Sequence, residues 1–172
     1  ENASIKNLKL IDVDFKSKRT FASAIANNNH GKIRNVYVSG SIYAYGNAFS
    51  AVGGIVATNH TTGILRNTQF EGTVTGDYIP PVSGPPIQSY MIGGLVGNNM
   101  GLIVSSNFIG SASAAVQVGG LAGLNQYSGT IDSSYAKGTV FFDLDTPTSG
   151  SGGGLAGDNK GAIRNSWADM NL

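Results

Sequence analysis

The sequence predicts an all-β protein, a right-handed parallel β-helix (β-solenoid) of about five coils with variable loops at one corner. Three observations carry that expectation. An aliphatic residue recurs at Ile5, Ile33, Leu65, Ile103, Ile131 and Ile163, each time with asparagine or serine two positions on, at Asn7, Asn35, Asn67, Ser105, Ser133 and Asn165. A glycine pair followed by an aliphatic recurs at Gly53-Gly54-Ile55, Gly93-Gly94-Leu95, Gly119-Gly120-Leu121 and Gly153-Gly154-Leu155, with Ala24-Ile25 as a degenerate first copy. The spacing between blocks is nearly constant except in one connection. Self-similarity at a period of roughly 20 to 50 residues marks stacked units that cannot bury an apolar face alone.

Taken in chain order, each unit offers the same elements. From the aliphatic residue to a glycine is always seven positions, giving Gly40, Gly72, Gly110 and Gly138, read as turn glycines, with Asp12 and Met170 in the two end copies. From that glycine to the next glycine pair the distance varies, reaching 22 positions from Gly72 to Gly94, so insertions collect at one corner. The constant segments are short, broken by glycine and alternating, as in Ile33, Asn35 and Tyr37, which favours strand over helix. A helical repeat would need a run that Asn98 to Ala112 does not contain, because Gly101 and Gly110 interrupt it. Parallel crossovers are right-handed in nearly all cases, hence the expected hand.

Stacking of such units predicts four inward columns: Ile25, Ile55, Leu95, Leu121 and Leu155; the six aliphatics from Ile5; Leu10, Val38, Phe70, Phe108, Ala136 and Ala168; and Ile42, Val74, Ala112, Val140 and Leu172. Each large buried side chain contributes roughly 1.5 to 3 kcal/mol against about 1 to 2 for ordering a residue, so only stacked units are stable. The whole of residues 1–172 is expected to form one solenoid segment. It begins and ends inside a repeat unit, so the expectation is a piece of a longer chain, or one whose ends dock onto other chains.

Composition narrows the function classes. Charged residues make up 12% and the formal net charge is +1, which gives no overall electrostatic argument for nucleic acid or an acidic membrane. There is no cysteine, so no disulfide, and no apolar run of membrane-helix length. The 25 glycines and 16 asparagines supply the residues that tolerate left-handed backbone.

At Gly93-Gly94-Leu95-Val96-Gly97-Asn98-Asn99-Met100-Gly101 the chain resembles the GLUG-motif family of bacterial surface proteins. The resemblance continues at Gly119 to Gly129, Gly153 to Gly161, Ile131 to Val140 and Ile163 to Ala168. It implies an extracellular module of the kind found in filamentous-haemagglutinin-like adhesins and beside the catalytic part of immunoglobulin A-cleaving metalloproteases. It brings no catalytic residue, and the His-Glu-x-x-His zinc signature is absent from this chain.

Each candidate site also has a structural reading. Asn29, Asn59, Asn99, Asn125 and Asn159 hold equivalent positions and are expected to form an amide ladder rather than a ligand stripe. His30 and His60 should lie one coil apart as turn histidines, without a third metal ligand. Asp12 with Asp14, and Asp143 with Asp145, place two carboxylates on one strand face, the only pattern here that speaks for polysaccharide acid-base chemistry or calcium. The long connection holds the binding candidates Tyr78, Pro80, Pro81 and Tyr90, stiffened by four of the five prolines. Asn2-Ala3-Ser4 and Asn59-His60-Thr61 fit the glycosylation sequon.

The expectation is therefore a non-enzymatic, extracellular repeat module of a secreted or cell-surface adhesin-like protein, serving as scaffold or stalk. No catalytic residue, metal or cofactor is assigned. The expected partners are a protein or glycan on a host or neighbouring cell surface, reached through the loops, or further copies joined head to tail through open solenoid ends. Nucleic acid and membrane insertion are not expected. The competing expectations are an accessory β-helix of an immunoglobulin A-type protease, a filament-forming subunit, and a polysaccharide-active β-helix enzyme.

Overall fold

The computed structural model describes residues 3–18, 21–46, 51–78, 90–114, 116–142 and 150–172, with the backbone alone described at Tyr78. All described regular structure is β, and every strand pair is parallel. The chain visits three sheets in turn and returns to the first one strand further along, the arrangement of a β-solenoid.

The first sheet has nine strands. Ser4–Ser17, Lys32–Gly46 and Ile64–Tyr78 run its full width. Beyond Ile64–Tyr78 it forks, one branch holding Leu102–Val104, Thr130–Asp132 and Ala162–Arg164, the other Asn107–Ala114, Tyr135–Phe142 and Trp167–Asn171. Hydroxyls cause the fork. The Thr68 and Ser106 amides donate to Ser106 Oγ and Ser134 Oγ of the next coil at 3.1 and 3.2 Å, and those hydroxyls donate back to Val104 O and Asp132 O. Serine side chains thus take the place of main-chain partners and interrupt the ladder. In the earlier coils the equivalent positions are Leu8 and Val36, and backbone pairing runs through.

Two five-stranded sheets complete the circuit. Phe21–Ala22, Ala51–Gly53, Met91–Gly93, Gln117–Gly119 and Ser151–Gly153 form one, and Ala26–Asn29, Val56–Asn59, Val96–Asn99, Ala122–Asn125 and Ala156–Asn159 the other. The glycine pair is the corner between them. A Cβ at Gly54 would sit 2.3 Å from Gly94 O and 2.4 Å from the Phe70 ring; one at Gly94 would meet Gly120 O and the Phe108 ring, each at 2.2 Å. No side chain fits where a phenylalanine and the next coil's backbone already meet.

The inward columns form in the expected register. Ile5 pairs with Ile33, Ile33 with Leu65, Leu65 with Ile103, Ile103 with Ile131 and Ile131 with Ile163. Ile55, Leu95 and Leu121 are completely buried, while Ile25 and Leu155 pack on the core near the ends. Phe70 and Phe108 stack with centroids 6.2 Å apart. The last members of two columns, Ala168 and Leu172, are exposed.

Two expectations are corrected. Gly40, Gly72, Gly110 and Gly138 lie within the long-strand ladder and do not end it, although their φ of 131 to 149° and the 1.9 to 2.1 Å approach of a hypothetical Cβ to the preceding coil still exclude other residues. The tight left-handed residues are instead those two after each aliphatic, Asn7, Asn35, Asn67, Ser105, Ser133 and Asn165, at φ 48 to 56°. Asp12 does not stand in for the glycine either. A bulge shifts the register so that Val13 faces Gly40, and Asp12 is the extra residue, at φ 55°.

The variable connections lie where the sequence put the insertions, between the first sheet and the second: after Gly46, Tyr78, Ala114 and Phe142.

Candidate functional site

Of the binding candidates in the long connection, only Tyr90 has a described side chain. Pro80 and Pro81 lie outside the described residues, as does the Tyr78 side chain at the end of its strand. Tyr90 is 1% exposed and among the largest buried side chains. It fills the coil interior next to the second sheet, where its carbonyl accepts from Gln117 N at 3.0 Å, so it is a packing residue and not a surface contact.

The five-asparagine column is an amide ladder. Each Nδ2 donates to the Oδ1 of the next coil: Asn29 to Asn59 at 2.8 Å, Asn59 to Asn99 at 2.9 Å, Asn99 to Asn125 and Asn125 to Asn159 at 2.8 Å. Asn59, Asn99 and Asn125 are fully buried. The glycine that follows gives the ladder its room, since a Cβ at Gly63 would lie 2.2 Å from Asn59 Oδ1. The sequon at Asn59 is therefore enclosed and hydrogen-bonded in the folded coil.

His30 and His60 stack with centroids 3.9 Å apart and planes inclined by 12°. His60 also reaches Asn28 Oδ1 at 3.0 Å. Desolvation first, and the neighbouring His30 second, push the His60 pKa below its ordinary value. Among the described residues no three His, Cys, Asp or Glu side chains gather where a metal could sit.

Of the two acidic pairs only Asp12 and Asp14 are described, and their carboxylates are not brought together on one strand face. Asp12 is displaced by the bulge, while Asp14 is salt-bridged to Lys16 at 3.5 Å and accepts from Ser41 Oγ at 3.2 Å. Asp143 and Asp145 lie outside the described residues. Other carboxylates are engaged by tyrosines: Tyr37 donates to Glu71 at 2.8 Å and Tyr43 to Asp77 at 2.5 Å, and these bonds raise both phenol pKa values.

One outward feature was missed by reading each charge alone. The residue after each aliphatic is Lys6, Arg34 and Arg66 in the first three coils, and the register places Lys6 beside Arg34 and Arg34 beside Arg66. The signal was present in the repeat itself, as Ile5-Lys6, Ile33-Arg34 and Leu65-Arg66. One position further along runs an exposed second amide ladder, Asn67 to Asn35 and Asn35 to Asn7, each at 3.0 Å. The left-handed backbone at the asparagine turns two successive side chains, such as Arg34 and Asn35, to the same solvent-facing side, and both are exposed.

These elements define a repeat protein whose interior is committed to stacking and whose chemistry lies on the outside of its corners. A family model described as the GLUG motif matches residues 114–140, one circuit through the three sheets. The chain is also 34% identical over 151 residues to a protein named Immunoglobulin A1 protease from Streptococcus sanguinis, an alignment covering 80% of this chain and 7% of that protein. No solved structure matches. Residues 114–140 thus carry the GLUG motif, and the chain is similar to a short stretch of that longer protein.

Proposed function

We propose that this segment is a non-catalytic, extracellular repeat module: a right-handed coil of about five turns that serves as a scaffold within a larger secreted or surface-attached protein. The observation that supports it best is the use of side chains. The inward positions are apolar columns or a hydrogen-bonded amide ladder, and the described acidic groups are tied to lysine, serine or tyrosine partners or stand singly. Among the described residues no adjacent acid and base face a cleft.

The likeness to a stretch amounting to 7% of a protein named Immunoglobulin A1 protease supports an accessory role in a multi-part protein. On this reading the catalytic work of any such parent belongs to another region. Adhesion, in the sense of holding a host or neighbouring surface, is the second half of the proposal, and the variable corner with Tyr78, Pro80 and Pro81 is one place for it.

The test is direct. Residues 1–172 are purified and incubated with immunoglobulin A1 and with a panel of polysaccharides, and products are followed by mass spectrometry. No new fragment is expected. Turnover that disappears in Asp143→Asn/Asp145→Asn would replace the scaffold reading with that of an enzyme.

A further inference from the structure

The charge of this chain is unevenly placed. Eight of the eleven lysines and arginines precede Asn67, against three of the ten carboxylates. Within that half, Lys6, Arg34 and Arg66 stand directly opposite one another on successive parallel strands. All three are exposed. Among the described residues none of them is in an ion pair, whereas Lys16, Lys137 and Lys160 each have an aspartate within 4 Å. Like charges facing each other across strands destabilise a sheet. The same column shows the alternative, because Asp132 precedes Arg164 in register further along. Stacking alone therefore does not call for three cations in a row.

Around this column the surface is suited to a ligand. A cleft of about 300 Å³ is walled by Ser4, His30, Lys32, Arg34 and Thr62, adding a fourth cation and the outer histidine of the stacked pair. The exposed ladder of Asn7, Asn35 and Asn67 runs parallel to the cations, one residue further along each strand.

We propose that the column of Lys6, Arg34 and Arg66, flanked by Lys32 and by the Asn7, Asn35 and Asn67 carboxamides, binds a linear anionic polysaccharide lying along the solenoid axis. One cation per coil gives a positive charge every ~4.8 Å, close to the length of one sugar ring in an extended chain, so acidic groups on successive sugars meet successive coils. Guanidinium groups make paired hydrogen bonds to sulfate or carboxylate oxygens. The carboxamides supply donors and acceptors for ring hydroxyls, which a bare phosphate backbone would not use. A single strand of nucleic acid calls for free aromatic faces beside the cations, but one face of His30 is taken by His60 at 3.9 Å and the Tyr37 ring is covered by Lys9 Nζ at 5.3 Å. The inference deepens the surface-binding reading above and rests on it only in placing the chain outside the cell.

Binding of residues 1–172 is measured by titration calorimetry against heparin (sulfate and carboxylate), polygalacturonate (carboxylate only), dextran (uncharged), a single-stranded oligodeoxynucleotide, and phosphatidylglycerol vesicles. The expected result is binding to heparin, polygalacturonate or both, none to dextran, and at least tenfold weaker binding in Lys6→Gln/Arg34→Gln/Arg66→Gln. The slope of log affinity against log salt should fall by about one per cation removed. Heparin without polygalacturonate assigns the acidic group as sulfate. Lys137→Gln/Lys160→Gln, which removes cations elsewhere, should bind like the parent. Circular dichroism checks folding, and the single variant Arg34→Gln, weaker by a smaller factor, serves if the triple variant does not fold. Unchanged affinity in the triple variant, equal loss in the Lys137/Lys160 variant, no binding to either anionic polysaccharide, or a clear preference for oligonucleotide or vesicles would overturn the proposal. Product formation, read separately, bears on the scaffold reading and not on this one.

Discussion

Replacing Asn99 with alanine tests the energetics of the coil at its most constrained polar point. Asn99 is fully buried, accepts from Asn59 Nδ2 at 2.9 Å and donates to Asn125 Oδ1 at 2.8 Å. In Asn99→Ala both bonds vanish. Asn59 Nδ2 keeps a 3.3 Å contact to Gly63 O, so part of its need is still met, while Asn125 Oδ1 loses the donor below it. Leaving a buried polar group unpaired costs about 1 to 3 kcal/mol, so two disturbed groups give roughly 2 to 5 kcal/mol. At the end of the same ladder Asn159 is exposed and only accepts, from Asn125 at 2.8 Å. Water can replace that acceptor, and Asn159→Ala should cost under about 1 kcal/mol. Urea unfolding followed by circular dichroism measures both. Nearest-neighbour stacking makes the middle of a solenoid dearer to disturb than its end. Equal losses in the two variants would refute the claim that the ladder carries stability through its buried bonds.

Three further outcomes follow from the same geometry. Leu121→Ala, in a fully buried mid-column position, should lose about 2 to 5 kcal/mol in urea unfolding, and Ile5→Ala, 36% exposed at the frayed first strand, much less. Gly94→Ala places a Cβ 2.2 Å from Gly120 O and should destabilise by several kcal/mol (on the order of 3), whereas Gly46→Ala meets no atom of the described residues within 4 Å and bears the strain of φ 123°, on the order of 1 kcal/mol; thermal melts separate them. Because the folded-state pKa of His60 is depressed, the folded chain binds its proton less readily than the unfolded chain, so its contribution is complete above the unfolded value of about 6.5 and is lost as pH falls through the folded value. Melting temperature should therefore drop on acidification below pH 6.5, and His60→Asn should flatten that dependence.

Much of the fold was legible because a solenoid repeats its constraints. Ile33, Leu65 and Ile103 had to align once the units stacked, and the buried amide ladder followed from one asparagine recurring after each glycine-pair block. Other features depended on three-dimensional competition. The fork in the first sheet arises because Ser106 and Ser134 hydroxyls outcompete main-chain partners, which the Leu8 and Val36 side chains cannot do. The bulge at Asp12 reflects one residue more than the neighbouring coil has, and no local signal separates it from a substituted glycine. Tyr90 was read as a loop aromatic because it follows four prolines, yet it stands one residue before Met91–Gly93 and is drawn into the core with that strand. The basic column escaped notice because net charge averages over both halves of the chain, while register brings together only residues from one of them.

That column also ties stability to recognition in opposite senses. Inward positions are dictated by the coils on either side, but a position such as Arg34 is free to take any polar residue, and a carboxylate there would turn three like charges into an alternating Lys6, Glu, Arg66 ladder. Opposite charges across strands stabilise by roughly 0.2 to 1 kcal/mol and like charges do the reverse, so Arg34→Glu should raise the melting temperature by about 1 to 3 °C at low ionic strength. Salt should shrink the gain, because exposed charges are screened over about 10 Å at 0.1 M. The same variant should lose binding to anionic polysaccharide, since a negative group now stands in the middle of the site. Scanning calorimetry at two salt concentrations, with heparin titration of the same sample, reads both effects. A melting temperature that is unchanged or lower at low salt would show that the three cations do not strain one another, and would remove the reason for treating their alignment as anything but incidental.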